Sequence, residues 1–481
     1  MSPEVFAVNP VKVAKSISET YAEFSLGLRY EAIPTEVIAK AKDHILDTIG
    51  CGLAGSTMEW ALTIMGMAKH LGGPGEATII GDGSRVATPN AALACGAACT
   101  CLDYDDTFYW GGKGHASRAL VPASLTVAEW TGSTGKDLIK ATIVGWEISN
   151  RLANAQSVDQ ERRSEVAVHH KSRERSAEQR NHFAAAAEAA LLMGLEREQF
   201  SSAIALVSCL GVPVCGMNQS HREGADAWIF ANGWAALAGV MAATAAQKGM
   251  VGPRLIFEGD RGFFKQLDLQ ELYAPDKLTE GLGTRWYTLD NCIKFYPAGH
   301  GIHHWIESLK QVIKEHKVGP DDVEEVITHV PKQRVERHFD FSEQKLNPSP
   351  YASRFSLPFI LASVMIDGDW KVTSAIGGKV KEPRRLELAK RVHYSLEEDS
   401  WLEDNRGSIT VKTKDGKSYK AKHPRLLGLP SNPPSHQQIV DKFRENASFV
   451  LNKSATEKLV NALENLEQVK NVAEVMRMTA P

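Results

Sequence analysis

Alanine and glycine recur at spacings of three and four residues along nearly all of the apolar segments in the first half of this chain. Residues at that spacing share one face of an α-helix, and small side chains on such a face let two helices approach closely. The pattern therefore predicts a tightly packed helical domain. Its clearest helical segments are Leu120–Trp130, Gly135–Asn154, Ala184–Met193, Phe200–Cys209 and Asp226–Lys248.

The segments that precede these follow the same helical period. An amphipathic helix is predicted over residues 12–30, and a second helix begins at Thr35, directly after Pro34. Glu76–Gly81 is typical of a short strand, and Pro89 opens the next helix. No Gly-x-Gly-x-x-Gly follows a strand and no Walker A motif occurs, so the sequence does not indicate a nucleotide-binding fold.

The composition is that of an ordinary globular protein. The length of 481 residues corresponds to roughly two or three domains, and 43% of the residues are apolar while 23% are charged. The net charge is −3 and the isoelectric point is about 6.6, which leaves no global basic field to attract a polyanion. We therefore expect no nucleic-acid partner.

The seven cysteines form no CxxC pair, so neither a metal site nor a disulfide framework is indicated. They lie in small-residue apolar segments and are expected to be buried, reduced thiols of an intracellular protein. The N-terminal residues lack the apolar core of a signal peptide, and the longest apolar run, Ala235–Ala246, is too short to span a bilayer. We expect no membrane partner and a cytoplasmic location, or a mitochondrial one if the chain is eukaryotic.

The pattern changes after about Leu282. Val323–Val330 alternates like a strand, and Asp415-Gly416 marks the turn of a hairpin. The proline-rich segment Leu429–Pro434 marks a boundary beyond which helices return. The predicted fold class is mostly α, with an all-helical domain built from both chain ends and a smaller inserted α+β domain. The expected boundaries are 1–285 for the first helical part, 286–428 for the inserted domain and 429–481 for the C-terminal return.

Residues with chemical potential are concentrated in one stretch between two apolar segments. It contains three aspartates, a threonine and, after a glycine-rich turn, a histidine: Asp103, Asp105, Asp106, Thr107 and His115. Carboxylates and a histidine in this arrangement are the groups that acid–base catalysis uses. The alternative is a helix end with capping aspartates and a surface histidine, and the spacing alone does not separate the two interpretations.

Several blocks of the sequence resemble the MmgE/PrpD family, and together they cover most of the chain. The two most specific are an Asp-x-Asp-Asp-Thr motif that begins at Asp103 and a Lys-x-Tyr-Pro motif that begins at Lys294. The other matching blocks are Pro34–Ser56, Ile143–Ile148, Phe257–Phe264, Leu282–Trp286 and Arg354–Ser356.

Members of that family include 2-methylcitrate dehydratases, cis-aconitate decarboxylases and an iminodisuccinate epimerase. The resemblance implies an all-helical domain with a smaller α+β lid, a homodimer, no metal or organic cofactor, and a small di- or tricarboxylate substrate held between the two domains. All three reactions need proton-transfer groups and cations for the carboxylates, so the fold by itself does not select among them.

The resemblance assigns roles to residues of the acidic stretch. Asp103 aligns with a site aspartate that orients a histidine or exchanges a proton. His115 aligns with the site histidine and is the first choice for the general acid or base, although the preceding turn is about two residues longer than the family's. Thr107 aligns with a substrate-contacting hydroxyl. Asp105 and Asp106 are expected to shape the turn.

A second group of site residues is expected in the lid. Lys294 aligns with a lysine that holds a substrate carboxylate and couples lid closure to binding. Tyr296 is expected to position this lysine and to line the substrate site, and His303 is expected to support the site. His300 and His304 are expected on the surface.

Two segments depart from the family pattern. A Gly-x-His-Pro-Thr segment is absent, and its histidine position falls near Arg175, although a gap would place His169 or His170 there. A Lys-x-x-His-x-Gly segment is also absent, and Arg222 lies near its lysine position. Arginine keeps the charge and grips a carboxylate with two contacts, but it does not exchange protons near neutral pH. Arg175 and Arg222 are therefore expected to be substrate-binding cations.

The sequence thus predicts a cofactor-independent lyase that acts on a small di- or tricarboxylate, with dehydration of a 2-methylcitrate-like substrate as the leading reaction. A cis-aconitate-type decarboxylase or an epimerase is the alternative within the enzyme class. Because one family histidine is missing, a non-catalytic homodimer that binds a carboxylate metabolite is the alternative from another class.

Overall fold

Helices dominate the computed structural model, and strands are few and short. The structure describes residues 15–108, 114–155, 179–210, 225–266, 273–332, 348–401 and 406–481, together with positions 223, 335, 339 and 346. Within these residues the predicted fold class, mostly α with a smaller α+β part, is confirmed.

The first part of the chain forms a helical domain, and most of its helices lie in segments where the periodicity predicts them. Its helices are α1 (Ile17–Gly27), α2 (Thr35–Gly55), α3 (Glu59–Leu71), α4 (Thr88–Thr100), α5 (Ser117–Thr131), α6 (Gly135–Ala155), α7 (Arg180–Leu192), α8 (Arg197–Leu206), α9 (Ala227–Gln247) and the single turn α10 (Phe263–Gln266). A capping box begins α1, since Ser16 Oγ accepts from the Glu19 N–H and the Glu19 carboxylate accepts from the Ser16 N–H.

Small residues set the separation of the central helices, as the sequence predicted. A Cβ atom added to Gly96 on α4 would lie 2.9 Å from the Cα atom of Gly233 on α9. A Cβ atom on Gly239 would lie 2.5 Å from the Cβ atom of Ala185 on α7. Because no real Cβ atom is accommodated at such distances, glycine at these positions is what allows α9 to pack against α4 and α7.

Two short antiparallel ribbons lie among the helices. Strand β1 (Ala77–Thr78) pairs with β2 (Arg85–Val86), and β3 (Thr107–Phe108) pairs with β4 (Asn291–Cys292). The second ribbon joins segments that are far apart in the sequence, since Thr107 lies opposite Cys292. The sequence predicted a strand near β1 but none at β2, β3 or β4, because two-residue strands carry no detectable period.

The inserted α+β part is built around a four-stranded sheet with the order β6-β5-β7-β8. Strand β5 runs parallel to β6 and antiparallel to β7, and β7 forms the predicted hairpin with β8 through Asp415-Gly416. Its elements are α11 (His303–His316), β5 (Val323–Val330), α12 (Leu357–Asp367), α13 (Pro383–Ala389), β6 (Val392–Leu396), β7 (Ile409–Thr413) and β8 (Ser418–Ala421). Side chains of the sheet and of α11 and α12 form a core of their own, which includes Trp305 and Phe359.

The C-terminal residues return to the first domain. Helices α14 (His436–Ala447), α15 (Lys453–Glu464) and α16 (Ala473–Arg477) follow the lid. Phe443, Leu459 and Met476 belong to the same hydrophobic core as Leu46 of α2. The chain ends therefore share one core, while the boundaries at 285/286 and 428/429 stay predictions.

Two predictions about individual side chains are wrong. His304, expected on the surface, lies at the start of the lid helix α11 and is only 5% exposed. Its Nδ1 atom lies 2.8 Å from the His423 carbonyl oxygen. Cys209, expected to be buried, is exposed. The remaining cysteines within the described residues are buried, as predicted, and Cys215 lies outside those residues.

Helix α9 is long and apolar enough to cross a membrane when judged by length and composition alone. More than half of its most apolar window is buried inside the protein. That burial is typical of a central core helix, and it follows from the close contacts that Gly233 and Gly239 make with neighbouring helices.

Candidate active site

The acidic loop follows the C-terminal end of α4. The backbone N–H of Asp103 donates to the carbonyl oxygen of Thr100 over 3.0 Å, which turns the chain sharply after the helix. Asp103 has a φ angle of 49°, in the left-handed region that aspartate enters more readily than most side chains. Non-glycine residues in this conformation concentrate at functional sites, because the surrounding structure must hold them there. The turn therefore singles out Asp103 as a positioned side chain.

Lys294 lies directly against Asp103. Its Nζ atom is 3.0 Å from the carboxylate Oδ1 of Asp103 and 2.9 Å from the Asp103 carbonyl oxygen. The lysine side chain is fully buried and that of Asp103 is 9% exposed. Lys294 follows β4, and Asp103 precedes β3, so the pairing of these two strands brings the residues together. The structure thus unites two of the predicted catalytic residues.

His115 lies beside the same loop, and its hydrogen bonds define the tautomer of its ring. Its Nδ1 atom is 2.5 Å from the carbonyl oxygen of Asp106 and 3.3 Å from Thr107 Oγ1. Because a carbonyl oxygen only accepts, Nδ1 carries the proton and Nε2 is free of one in the neutral ring. The His115 backbone is fixed as well, since Asn181 Nδ2 donates to its carbonyl oxygen over 2.8 Å. The arrangement leaves Nε2 as the proton-transfer atom.

Arg118 adds a second buried cation to the cluster. It is the second residue of α5, three residues after His115, and its side chain is 2% exposed. Its Nη1 atom is 4.0 Å from Asp103 Oδ1, and its Nε atom is 3.7 Å from Asp105 Oδ2. The cations Arg118 and Lys294 thus flank Asp103. Burial, followed by the positive charges of Lys294 and Arg118, lowers the pKa of His115 well below its usual value.

The other two aspartates have different roles. Asp106 Oδ1 accepts from the Ser117 N–H over 3.0 Å and so caps the start of α5, in agreement with its predicted structural role. Asp105 Oδ2 lies 3.8 Å from His115 Nδ1. Burial raises the pKa of Asp105 to about 7, although the charges of Arg118 and Lys294 oppose the shift. A carboxyl group that titrates near neutral pH, next to a histidine, is suited to proton transfer as well as to shaping the turn.

Asp103, Asp105 and His115 also satisfy the simplest distance test for a metal site, since one potential ligand atom from each lies within 4.8 Å of the others. The carboxylates are already matched by cations, however, because Lys294 contacts Asp103 and Arg118 lies near both aspartates. A divalent ion placed there would face two positive charges at close range. The residues therefore fit acid–base chemistry on an anion better than they fit metal binding.

Tyr296 and His303 lie near this cluster in sequence but have partners of their own in the lid. The Tyr296 hydroxyl donates to Glu307 and accepts from Lys310 Nζ over 3.0 Å. The His303 ring lies at 87° to the Tyr296 ring with 5.2 Å between centroids, and its Nε2 atom is 3.2 Å from the Ala298 carbonyl oxygen. Among the described contacts neither side chain touches Lys294, so their roles in substrate binding stay predictions.

Two family models match the chain. A model of the MmgE/PrpD N-terminal domain matches residues 19–274, and a model of the MmgE/PrpD C-terminal domain matches residues 296–468. The chain belongs to the MmgE/PrpD family. It is a lyase of that family, as the sequence predicted.

Relatives within the MmgE/PrpD family are similar over almost their whole length. Cis-aconitate decarboxylase from Homo sapiens is 26% identical over 481 residues, which cover 95% of this chain and 93% of the relative. The Mus musculus cis-aconitate decarboxylase is 25% identical over 490 residues, with 96% and 93% covered. The Aspergillus terreus cis-aconitate decarboxylase is 22% identical over 492 residues, with 97% and 96% covered.

Some predicted MmgE/PrpD site residues lie outside the described part of the chain. These are Arg175 and Arg222, together with the alternative histidines His169 and His170. Arg180, five residues after Arg175, is fully buried and lies in direct contact with Gly114, next to His115. The predictions for Arg175 and Arg222 therefore stay predictions.

Sequence reasoning missed Arg118 and underestimated Asp105. Arg118 carries a signal that was available, because it is a basic residue at the start of the helix that directly follows His115. Asp105 carried no such signal, since its raised pKa depends on burial that the sequence does not reveal. Both residues belong to the candidate active site together with Asp103, His115 and Lys294.

Proposed function

We propose that this MmgE/PrpD lyase decarboxylates an unsaturated tricarboxylate of the cis-aconitate type. The observation that carries the proposal is the buried cluster in which Lys294 and Arg118 flank Asp103 beside a histidine of fixed tautomer. Similarity to cis-aconitate decarboxylases over almost the whole length of both chains supports the choice of reaction.

The reaction requires a proton and places for negative charge. One carboxylate on a carbon next to the double bond leaves as CO₂, and the electron pair of the broken C–C bond forms a new double bond. The original double bond shifts its electrons to the far carbon, which takes up one proton. A trianion plus one proton thus gives a dianion and CO₂. The enzyme must hold the remaining carboxylates with cations and deliver that proton in the correct place.

The residues present match these needs. Lys294 and Arg118 attract the carboxylates of the substrate, and Asp103 keeps both cations in place when the site is empty. His115 is the proton donor. Its pKa is low in the unliganded protein, but a bound anion offsets the charges of Lys294 and Arg118 and therefore raises the pKa of the ring. Substrate binding itself then prepares the acid.

Dehydration of a citrate-like substrate is the second candidate, and one observation favours it. Asp105, whose pKa is raised to about 7 by burial, lies 3.8 Å from His115. A neutral carboxyl group beside a neutral imidazole provides both an acid for a leaving hydroxyl and a base for a carbon-bound proton. The sequence ranked this reaction first. We rank it second because the relatives described above are cis-aconitate decarboxylases.

The test is proton NMR of the purified protein in D₂O with cis-aconitate, 2-methylcitrate, citrate and iminodisuccinate in separate samples. We expect cis-aconitate to give itaconate with one deuterium in the methylene group between the double bond and the carboxylate. An unsaturated product from a citrate would instead establish dehydration, and deuterium entry without net conversion would establish epimerisation. Silence with all four substrates would contradict the proposal and favour a carboxylate-binding protein without turnover.

A matched pair of variants ties the reaction to the site. His115→Gln should slow product formation by about 100-fold or more, whereas His316→Gln, at the exposed end of α11, should leave it unchanged. An equal loss of product formation in the two variants would show that the reaction does not depend on this cluster. The homodimer, the cytoplasmic location and the lack of nucleic-acid and membrane partners remain proposals from the sequence, and light scattering of the purified protein tests the first of them.

A further inference from the structure

Arg354 is a fully buried arginine of the lid, and no carboxylate among the described residues contacts it. It is 1% exposed and lies in the helical turn just before α12. Its Nη1 atom donates to the Pro350 carbonyl oxygen over 2.7 Å, and its guanidinium lies 5.5 Å from the centre of the Trp60 ring. Its Nε and Nη2 atoms are buried and have no hydrogen-bond partner among the described residues.

Arg385, another buried arginine of the lid, is paired with carboxylates and serves as a structural comparison. Arg385 is 2% exposed, and its Nη2 atom lies 2.8 Å from Asp367 Oδ1 while its Nε atom lies 2.7 Å from Glu382 Oε2. Buried charges are normally paired in this way, because an uncompensated one costs several kcal/mol. The described part of the lid thus supplies carboxylates to Arg385 but none in hydrogen-bond contact with Arg354.

Arg354 is placed next to the candidate active site. Its carbonyl oxygen accepts from the Gly299 N–H over 3.1 Å, which ties it to the loop that follows Lys294. Burial lowers the pKa of Arg354 to about 10, and the negative charge of Asp103 acts in the opposite direction. Burial raises the pKa of the neighbouring Tyr351. The charge of Asp103 raises that pKa as well, and the charges of Arg118 and Arg354 lower it. The guanidinium therefore lies within electrostatic reach of the cluster and remains charged at neutral pH.

We infer that Arg354 binds one carboxylate of the substrate through its Nε and Nη2 atoms. These two N–H groups form one edge of the guanidinium, the edge that grips a carboxylate with two parallel hydrogen bonds. The hydrogen bond from Nη1 to the Pro350 carbonyl oxygen already holds the side chain in place. Little rotamer entropy is therefore lost when a ligand binds. The inference rests on the proposed function for the class of ligand, a polycarboxylate, but not on which bond the enzyme breaks.

Among the described residues, two cations of the site and one of the lid match the number of carboxylates on a tricarboxylate. Lys294 and Arg118 both lie within 4.0 Å of Asp103 Oδ1, while Arg354 belongs to a separate turn of the lid. A tricarboxylate has one carboxylate for each of these cations, and a dicarboxylate leaves one of them without an anion. Arg354 should therefore contribute to the preference for tricarboxylates over dicarboxylates.

The test is isothermal titration calorimetry with tricarballylate, a saturated tricarboxylate that cannot react, and with glutarate as the dicarboxylate. The protein samples are the wild type, Arg354→Lys, which keeps the charge but loses the two-pronged edge, and Arg354→Met, which loses both. Arg385→Lys is the matched control, because it changes a buried lid arginine that already has carboxylate partners. Thermal unfolding of each variant identifies any that fails to fold, and Arg354→Lys is the more conservative of the pair.

We expect Arg354→Lys to weaken tricarballylate binding at least tenfold and to change glutarate binding less, while Arg385→Lys leaves both affinities unchanged. An unchanged ratio of the two affinities in Arg354→Lys would overturn the inference, as would an equal change in Arg385→Lys or the absence of tricarballylate binding to the wild type. Arg354-dependent binding without any product in the NMR assay would refute the proposed function and leave this inference intact.

Discussion

Replacing Lys442 with methionine should destabilise the protein by about 3 kcal/mol at pH 7, because the change leaves a buried carboxylate without its counter-ion. Lys442 Nζ lies 2.6 Å from Asp47 Oδ1 and 2.9 Å from the Tyr104 carbonyl oxygen. The two charged side chains are 3% and 1% exposed. Methionine retains most of the aliphatic stem but supplies neither a charge nor a donor.

The magnitude follows from the burial of Asp47. Breaking a buried ion pair from one side costs about 3–5 kcal/mol, and we take the lower end because Asp47 is able to escape by taking up a proton. Burial already raises the pKa of Asp47 in the presence of Lys442, so loss of the lysine raises that pKa further. A group with a raised pKa in the folded state loses its stabilising effect as the pH rises through that value. The penalty should therefore shrink as the pH falls from 7 towards 4.

The assay is urea denaturation at pH 7 and pH 5 of the wild type, Lys442→Met, Asp47→Asn and the double variant. The double variant should recover most of the lost free energy of unfolding, because it no longer contains a buried carboxylate. Lys371→Met is the control, since Lys371 pairs with Glu445 over 3.1 Å at a site where both side chains are 52% exposed, and such pairs contribute less than about 1 kcal/mol.

The reasoning would be refuted by a loss below about 1 kcal/mol in Lys442→Met, by equal losses at both pH values, or by a double variant no more stable than Lys442→Met. The double variant should also turn over more slowly than the wild type although it is stable. Its Tyr104 carbonyl, between Asp103 and Asp105, has lost the donor that Lys442 provides.

Four further outcomes are expected. His115→Gln should lower kcat by about 100-fold or more in steady-state assays, with little change in Tm. The free energy of unfolding of the wild type should fall as the pH rises from about 4 to 7, because the raised pKa of Asp105 is crossed in that range. Asp105→Asn should flatten that dependence in urea titrations. Gly233→Ala should cost about 1–3 kcal/mol in urea titrations, since its Cβ atom would lie 2.5 Å from the Leu93 carbonyl oxygen. Dialysis against EDTA should leave kcat unchanged, because Lys294 already pairs with Asp103.

The sequence by itself determined most helices of the first domain and how closely some of them pack, but α3, α12 and α13 were not predicted. Spacings of three and four residues predicted the helices, and the small residues at those spacings, such as Gly96 and Gly233, predicted their close approach. The turn at Asp415-Gly416 determined the lid hairpin in the same local way. Asp103 and His115 were also recognisable, because both lie in one short stretch and match a family motif.

Only the tertiary structure decided how distant segments meet. Lys294 contacts Asp103 because β3 pairs with β4, and strands of two residues each carry no periodic signal. The pairing of Asp47 with Lys442 joins opposite ends of the chain. The folded lid buries the Nε and Nη2 atoms of Arg354, which have no hydrogen-bond partner within the part of the chain that the structure describes. Local patterns record the conformation of neighbouring residues, whereas burial and charge pairing depend on the packing of the whole chain.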